Sequence, residues 1–147
     1  MICTFFGHKD APNFLTSELK KAILEVIEKK NATFFYVGNN GNFDFLVQKV
    51  LKEISQSCPD IQYRVVLSVI NENALIGDEN ITLFPEKLEL SPPKFAIYKR
   101  NEWMLQQANL VIAYVKYSTS NAYKWITKAE KKGLSIINLA NSSKNNP

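Results

Sequence analysis

The sequence predicts an α/β fold: a Rossmann-like three-layer α/β/α sandwich on a mainly parallel sheet of about five strands. Two observations carry the prediction. Short runs rich in β-branched and aromatic residues alternate with longer amphipathic stretches of helical period. The short runs are also apolar throughout, as strands covered on both faces must be. Right-handed crossovers then place helices on either side of the sheet. With 147 residues, 46% apolar and 22% charged, the chain can bury one core and has little room for a second. Residues 1–140 read as one domain and 141–147 as a polar tail.

The elements follow in order. Ile2 to Phe6 reads as a buried strand ending at Gly7. From Asn13 to Lys30, Leu15, Leu19, Ala22, Ile23, Val26 and Ile27 recur at helical spacing with Lys and Glu opposite. Thr33 to Val37 has strand composition and stops at Gly38-Asn39-Asn40-Gly41. A second amphipathic helix runs from Phe43 to Gln56, and Pro59 cannot continue it. Ile61 to Ile70 reads as the third strand. Asn71 to Ser91 has no sustained periodicity, and a loop of that length is expected to be functional or mobile. Pro92-Pro93 leads into a helix from Phe95 to Asn109. Leu110 to Val115 is a fourth strand, Ser120 to Lys132 a helix closed by Gly133, and Leu134 to Leu139 a fifth strand.

Composition excludes several classes of function. No stretch approaches the roughly 18 apolar residues that span a bilayer, so no membrane partner is expected. The N-terminus lacks a basic leader before its apolar segment, which points away from secretion and toward the cytoplasm. Cys3 and Cys58 are too few for a disulfide scaffold and lack metal-ligand spacing, so neither a metal nor a cofactor is expected. Eighteen basic against fourteen acidic residues give +4, which favours anionic ligands. Glu18, Glu25, Glu28 and Glu130 interrupt the lysines, so a nucleic-acid partner is not expected.

In an open parallel sheet, ligands sit beyond the carboxyl ends of the strands. That nominates Gly7-His8-Lys9-Asp10, the stretch from Gly38 to Asn42, the Asn71 to Ser91 loop, and Lys116 to Ala122. Gly38 and Gly41 would let the backbone turn and approach a ligand, and Asn42 can cap the next helix, whose free amides would accept an anion. The alternative is a plain strand-to-helix turn. Asp44 either complements the helix dipole or bonds a ribose hydroxyl. His8, the one histidine, excludes a multi-histidine metal site within the chain and is either a ligand contact or an exposed turn residue. Arg100 could grip phosphate or pair with Glu86, Glu89 or Asp44. Asn101 could bind a base, a ribose or a loop carbonyl. Trp103 and Trp125 read as core.

The segments from Phe5 to Asp10, Phe35 to Asp44, Phe84 to Glu89, Phe95 to Met104 and Ala108 to Val115 occur in this order. Together they resemble the short bacterial YpsA-like branch of the SLOG superfamily, over nearly the whole chain from Ile2 to Leu139. The resemblance implies a Rossmann-like fold that binds nucleotides or nucleotide-derived small molecules, in a superfamily that also holds the LOG phosphoribohydrolases and the DprA proteins. It places Gly7, Gly38, Asn39, Gly41, Asp44, Arg100 and Asn101 around the ligand; His8, Lys9 and Asn40 are candidate contacts from the strand-end segments themselves. Where close relatives carry Gly-Gly-Ala this chain has Ser120-Asn121-Ala122, so Ser118, Ser120 and Asn121 would substitute side-chain hydrogen bonds. The glycine-rich segment with a glutamate that the phosphoribohydrolases use is missing from Lys116 to Lys124.

The leading expectation is therefore a module that binds or senses a nucleotide-type ligand, with Arg100 as its phosphate clamp. An N-glycosidic hydrolase is the alternative, with Asp44 and Glu86 as its candidate catalytic carboxylates. Single-stranded DNA binding ranks behind both. A homo-oligomer is expected, with aromatic residues near the Phe95 to Trp103 helix serving the contact.

Overall fold

Six strands form one sheet in the order β4-β3-β2-β1-β5-β6, and every neighbouring pair is parallel. A computed structural model describes residues 1–68, 82–83 and 95–144. Strand β1 is Ile2–Gly7, β2 Phe34–Val37, β3 Gln62–Val66, β4 Thr82–Leu83, β5 Leu110–Tyr114 and β6 Ser135–Asn138. The sheet has one strand more than the five expected. The extra strand is β4, two residues that pair with Val65 and Val66 inside the segment the sequence left irregular. So short a strand leaves no periodic signal. Residues 69–81, 84–94 and 145–147 lie outside the described set, and with them Glu86, Glu89, the Pro92-Pro93 helix entry, most of the long loop and the last residues of the tail.

The helices are α1 (Thr16–Lys30), α2 (Asn42–Ser57), α3 (Ala96–Gln107), α4 (Asn121–Lys131) and a short α5 (Leu139–Lys144). A 3-10 turn at Asn13–Leu15 leads into α1, which ends on Asn31 in the left-handed conformation (φ 55°). Asparagine tolerates that conformation better than most residues. Residues 141–144, read from sequence as tail, belong to α5, and Leu139 and Ala140 bury themselves at its start.

Strand periodicity divides the core in two. Cys3 and Phe5 point to the face covered by α1, α2 and α5, where they meet Leu19, Ile23, Val47 and Leu51. Phe6, Val111 and Ala113 point to the face covered by α3 and α4, where they meet Met104, Leu105, Trp125 and Ile126. Each fully buried side chain of this size is worth about 1.5–3 kcal/mol of transfer free energy. All five β5 side chains are buried, as the uninterrupted apolar run predicts.

Connection order fixes where a ligand can enter. From β1 the chain moves to β2 on one side, and β5 later returns to β1's other side. The loops leaving β1 and β5 therefore diverge at the carboxyl edge, and a crevice opens between them. No described helix is long and apolar enough to cross a membrane.

Candidate functional site

A crevice of about 530 Å³ occupies that switch point. Its floor is the end of β1, from Phe5 through Gly7 to Asp10. One end is formed by Asn40, Asp44, Arg100 and Asn101, and the other by Ser120, Asn121, Ala122 and Lys124 at the start of α4. Ile97, Tyr98, Met104 and Trp125 make an apolar side wall. The volume lies within the roughly 300–1,000 Å³ usual for small-molecule sites.

At the first end the sequence brings a cation and a carboxylate together over a glycine. Arg100 is only 2% exposed, yet its side chain reaches the crevice. Nη1 donates to Asn39 Oδ1 (3.1 Å) and to the Val66 carbonyl (3.3 Å), and Nε donates to Asn101 Oδ1 (2.9 Å). A Cβ on Gly38 would lie 2.8 Å from the Arg100 guanidinium carbon and 2.8 Å from Asp44 Oδ2. Gly38 thus makes room for the two charged groups and does not itself line the crevice. Asp44 accepts a hydrogen bond from the Asn40 amide (2.9 Å). Burial raises the Asp44 carboxyl to about 6, against the opposing pull of Arg100 and of that amide. Burial lowers the Arg100 pKa, and Asp44 opposes it. The alternative of an Arg100–Asp44 salt bridge is not met: the two attract, but the ion pairs among the described residues are surface pairs elsewhere, such as Lys20–Glu53. The pairs with Glu86 and Glu89 lie outside the described residues.

The turn before α2 also differs from expectation. Gly41, not Asn42, is the residue that caps the helix, and no side chain bonds there as a cap. Asn42 turns away, donating to the Ala11 carbonyl and to Asn13 Oδ1, while its amide donates to the Lys9 carbonyl (2.8 Å). The helix start is therefore bolted to the β1 loop, and Asp44 reaches back over its first turn. Gly41 adopts φ 106° and lies against Lys9, where a Cβ would come within 2.6 Å of the Lys9 Cα. Gly7 lines the crevice, but its missing Cβ accommodates the Phe43 ring, 2.3 Å from where a Cβ would lie. That packing role was not read from the sequence.

His8 is not an exposed turn residue. It is 8% exposed, and its Nε2 accepts the Lys116 amide hydrogen (2.8 Å). Burial holds its pKa below 6.5, with Asp10 opposing and Lys116 assisting. At the second end, Ser120 is the cap of α4: its Oγ accepts the Tyr123 amide hydrogen (3.2 Å) and donates to the Tyr117 carbonyl (2.8 Å). Asn121 is exposed at the crevice. Ser118 is exposed and outside the lining; Asn39 and Gly41 are half-buried and also outside it.

Of the expected residues, the crevice unites Gly7, His8, Lys9, Asn40, Asp44, Arg100, Asn101, Ser120 and Asn121. Asp10 lies in a segment the sequence nominated and also lines the crevice, whereas sequence reasoning missed Lys124 and the aromatic wall. Trp125 is core, as expected, and also part of the wall, stacking on Phe6 (5.7 Å) and tilting against Tyr98 (4.9 Å). The available signal was that Tyr98 and Trp125 both fall within the first five residues of their helices, close to the carboxyl edge. Among the described residues, six aromatic side chains are exposed along the carboxyl edge of the sheet: Phe14, Phe45, Phe95, Tyr98, Tyr117 and Tyr123. Each follows a strand end or opens a helix there.

These features define a Rossmann-like α/β protein with a mixed polar and apolar crevice at its switch point. Among solved structures the chain is similar to DNA processing protein A (DprA) from Streptococcus pneumoniae, with a TM-score of 0.68 at 16% identity over 91% of this chain and 48% of that one. It is also similar to DprA from Helicobacter pylori, with a TM-score of 0.57 at 14% identity over 89% of this chain and 62% of that one. What they share is the Rossmann-like fold, and the chain spans about half to three-fifths of those proteins' length. No family model matches the sequence, and no curated protein matches it.

Proposed function

We propose that the crevice binds a nucleotide or a nucleotide-derived small molecule. The observation that carries this reading is the polarity of the crevice. At one end a buried, hydrogen-bonded arginine stands beside a carboxylate, and at the other a helix begins, with Lys9 and Lys124 lining the same cavity. An anion is stabilised by the amides and dipole at a helix start. Arg100 offers fixed donors to a phosphate or a base edge, and Asp44 accepts from a sugar hydroxyl. The apolar wall of Tyr98, Met104 and Trp125 suits a flat ring. The resemblance to the YpsA-like branch supports the same ligand class.

Thermal-shift measurements with nucleoside mono-, di- and triphosphates test the reading, because a ligand bound only by the native state must raise the melting temperature. At least one nucleotide is expected to do so, and Arg100→Lys, which keeps the charge but loses the planar fork, should reduce its affinity about tenfold or more. No shift from any nucleotide at millimolar concentration would refute the proposal. Chromatography of the same samples for released base tests the hydrolase alternative, in which Asp44 is the described carboxylate beside the sugar.

A second reading, single-stranded DNA, is favoured by the aromatic rim. The H. pylori DprA structure is described as revealing a single-stranded DNA binding mode. Aromatic side chains interleaved with cations form a stacking platform for bases, here Tyr98, Tyr117 and Tyr123 with Lys9, Lys116 and Lys124. Anisotropy of a labelled oligothymidine should then rise with protein and fall steeply with salt. Mononucleotide binding without oligonucleotide binding would leave only the first reading.

A further inference from the structure

We propose that His8 is a positioning residue that latches one wall of the crevice through its neutral ring and releases that wall when protonated. The geometry runs through three contacts. The His8 amide donates to the Tyr114 carbonyl (3.3 Å), extending the β1–β5 ladder by one step. Beyond that step the two backbones part, and the ring takes over: Nε2 accepts from the Lys116 amide at 2.8 Å. The ring also meets Tyr114 edge-on (5.7 Å, 82°) and lies tilted against Tyr117 (5.2 Å, 37°).

An imidazole nitrogen that accepts a hydrogen bond cannot also carry a proton, so this ring is neutral with its hydrogen on Nδ1. Protonation would set an N–H against the Lys116 N–H and remove the latch. The consequence reaches the crevice by a short path. Tyr117, next to Lys116, accepts both the Ser120 amide and the Ser120 hydroxyl through its carbonyl. Ser120 in turn caps α4 at Tyr123. Release of Lys116 therefore loosens the turn that aims the start of α4 at the ligand. The opposite wall is held separately, by the Asn42 amide on the Lys9 carbonyl, and contains no imidazole.

The charged and titratable groups around the ring are known. Asp10, on His8's own loop, favours the proton, whereas Lys116, on the β5 loop, opposes it. The phenols of Tyr114 and Tyr117 face the ring, and Lys9, Asp44, Arg100 and Lys124 line the same cavity. Burial is the largest influence and also opposes the proton, so the latch is closed at neutral pH and opens in acid.

The chain has one histidine, so its ring signals are unambiguous. Long-range ¹H–¹⁵N spectra of the ligand-free protein from pH 8 to 5 test the proposal. At pH 8 the Nδ1–H tautomer is expected. On acidification the Lys116 amide and the amides from Ser120 to Tyr123 should shift with the same midpoint as the ring, below pH 6.5. Amide exchange at Lys116, measured relative to His8→Gln at the same pH, should accelerate roughly tenfold as the ring protonates, since one hydrogen bond of ordinary strength is lost. An Nε2–H tautomer at pH 8 overturns the proposal, as does a Lys116 midpoint distinct from that of the ring. If His8→Gln does not fold, agreement or disagreement of the two wild-type midpoints decides alone. The experiment contains no nucleotide, so its failure would leave the ligand reading standing.

Discussion

Replacing Gly41 with alanine tests how tightly the β1 loop and α2 are joined. Gly41 holds φ 106° and ψ 176°, a region open in practice only to glycine, and forcing alanine into it costs about 1–3 kcal/mol. The new methyl would meet the Lys9 backbone at 2.6 Å, and backbone cannot swing away as a side-chain tip can. Overpacking of that kind adds about 1–3 kcal/mol, and disturbing the Asn42–Lys9 hydrogen bond adds about 1 kcal/mol more. The total is about 3–7 kcal/mol, or roughly 6–28 °C in melting temperature at about 2–4 °C per kcal/mol for a chain of this size. Gly133 is the internal control. It also has positive φ, 79°, but nothing lies within 4 Å of its would-be Cβ. Gly133→Ala should therefore cost only the conformational term, about 1 kcal/mol or roughly 2–4 °C. Thermal melts followed by circular dichroism give the comparison. If Gly41→Ala loses no more than Gly133→Ala, the close approach of Gly41 to Lys9 is wrong.

Three further outcomes follow from the same site. Gly38→Ala pushes a methyl against the Arg100 guanidinium and the Asp44 carboxylate, whose flexible ends can yield, so stability should fall by only about 1–2 kcal/mol; nucleotide thermal shifts should shrink far more, and an unchanged shift would dissociate this end from the ligand. Asp44, raised to about 6 from 3.8, binds its proton more readily folded than unfolded; its burial penalty of about 3 kcal/mol is fully present above pH 6 and disappears as pH falls below 4, whereas the His8 contribution, with its lowered pKa, is present above pH 6.5 and fades as pH falls. Urea unfolding of Asp44→Asn and wild type between pH 4 and 7 should expose that slope as a difference, and parallel curves would contradict it. Finally, Cys3 is fully buried with its thiol pushed far up by burial, while Cys58 is half-buried; a thiol reagent should modify Cys58 alone in the native protein and both residues in denaturant.

The strands and helices were legible because each run carries its environment in its own composition: β5 is apolar at every residue, and α2 keeps Phe43, Leu46, Val47, Val50, Leu51 and Ile54 on one face. The crevice was legible to the extent that the carboxyl edge of a parallel sheet follows from connectivity. What local patterns could not reveal were partners distant in sequence. Asn42 has the composition of a cap, but Ala11 and Asn13 claim its side chain. Arg100 could be read as a clamp, but nothing near it in sequence announces Asn39 or the Val66 carbonyl as its acceptors. His8 looked like a turn residue because the amide that occupies it comes from Lys116, 108 positions later. Gly7 lines the crevice as expected, but its second role was hidden because the Phe43 ring that fills its missing side chain belongs to another element.

The central position of β1 has a consequence for the nascent chain. Its first neighbour, β2, emerges within some thirty residues, but the second, β5, is joined through contacts such as Ile2 to Asn109, 107 positions apart. During synthesis β1, β2 and β3 can assemble with two helices while the far flank of β1 stays bare, offering unpaired backbone groups to any other extended segment. Such late closure slows folding. Synthesis must run 107 positions past Ile2, to Asn109, before that flank is covered and the crevice exists.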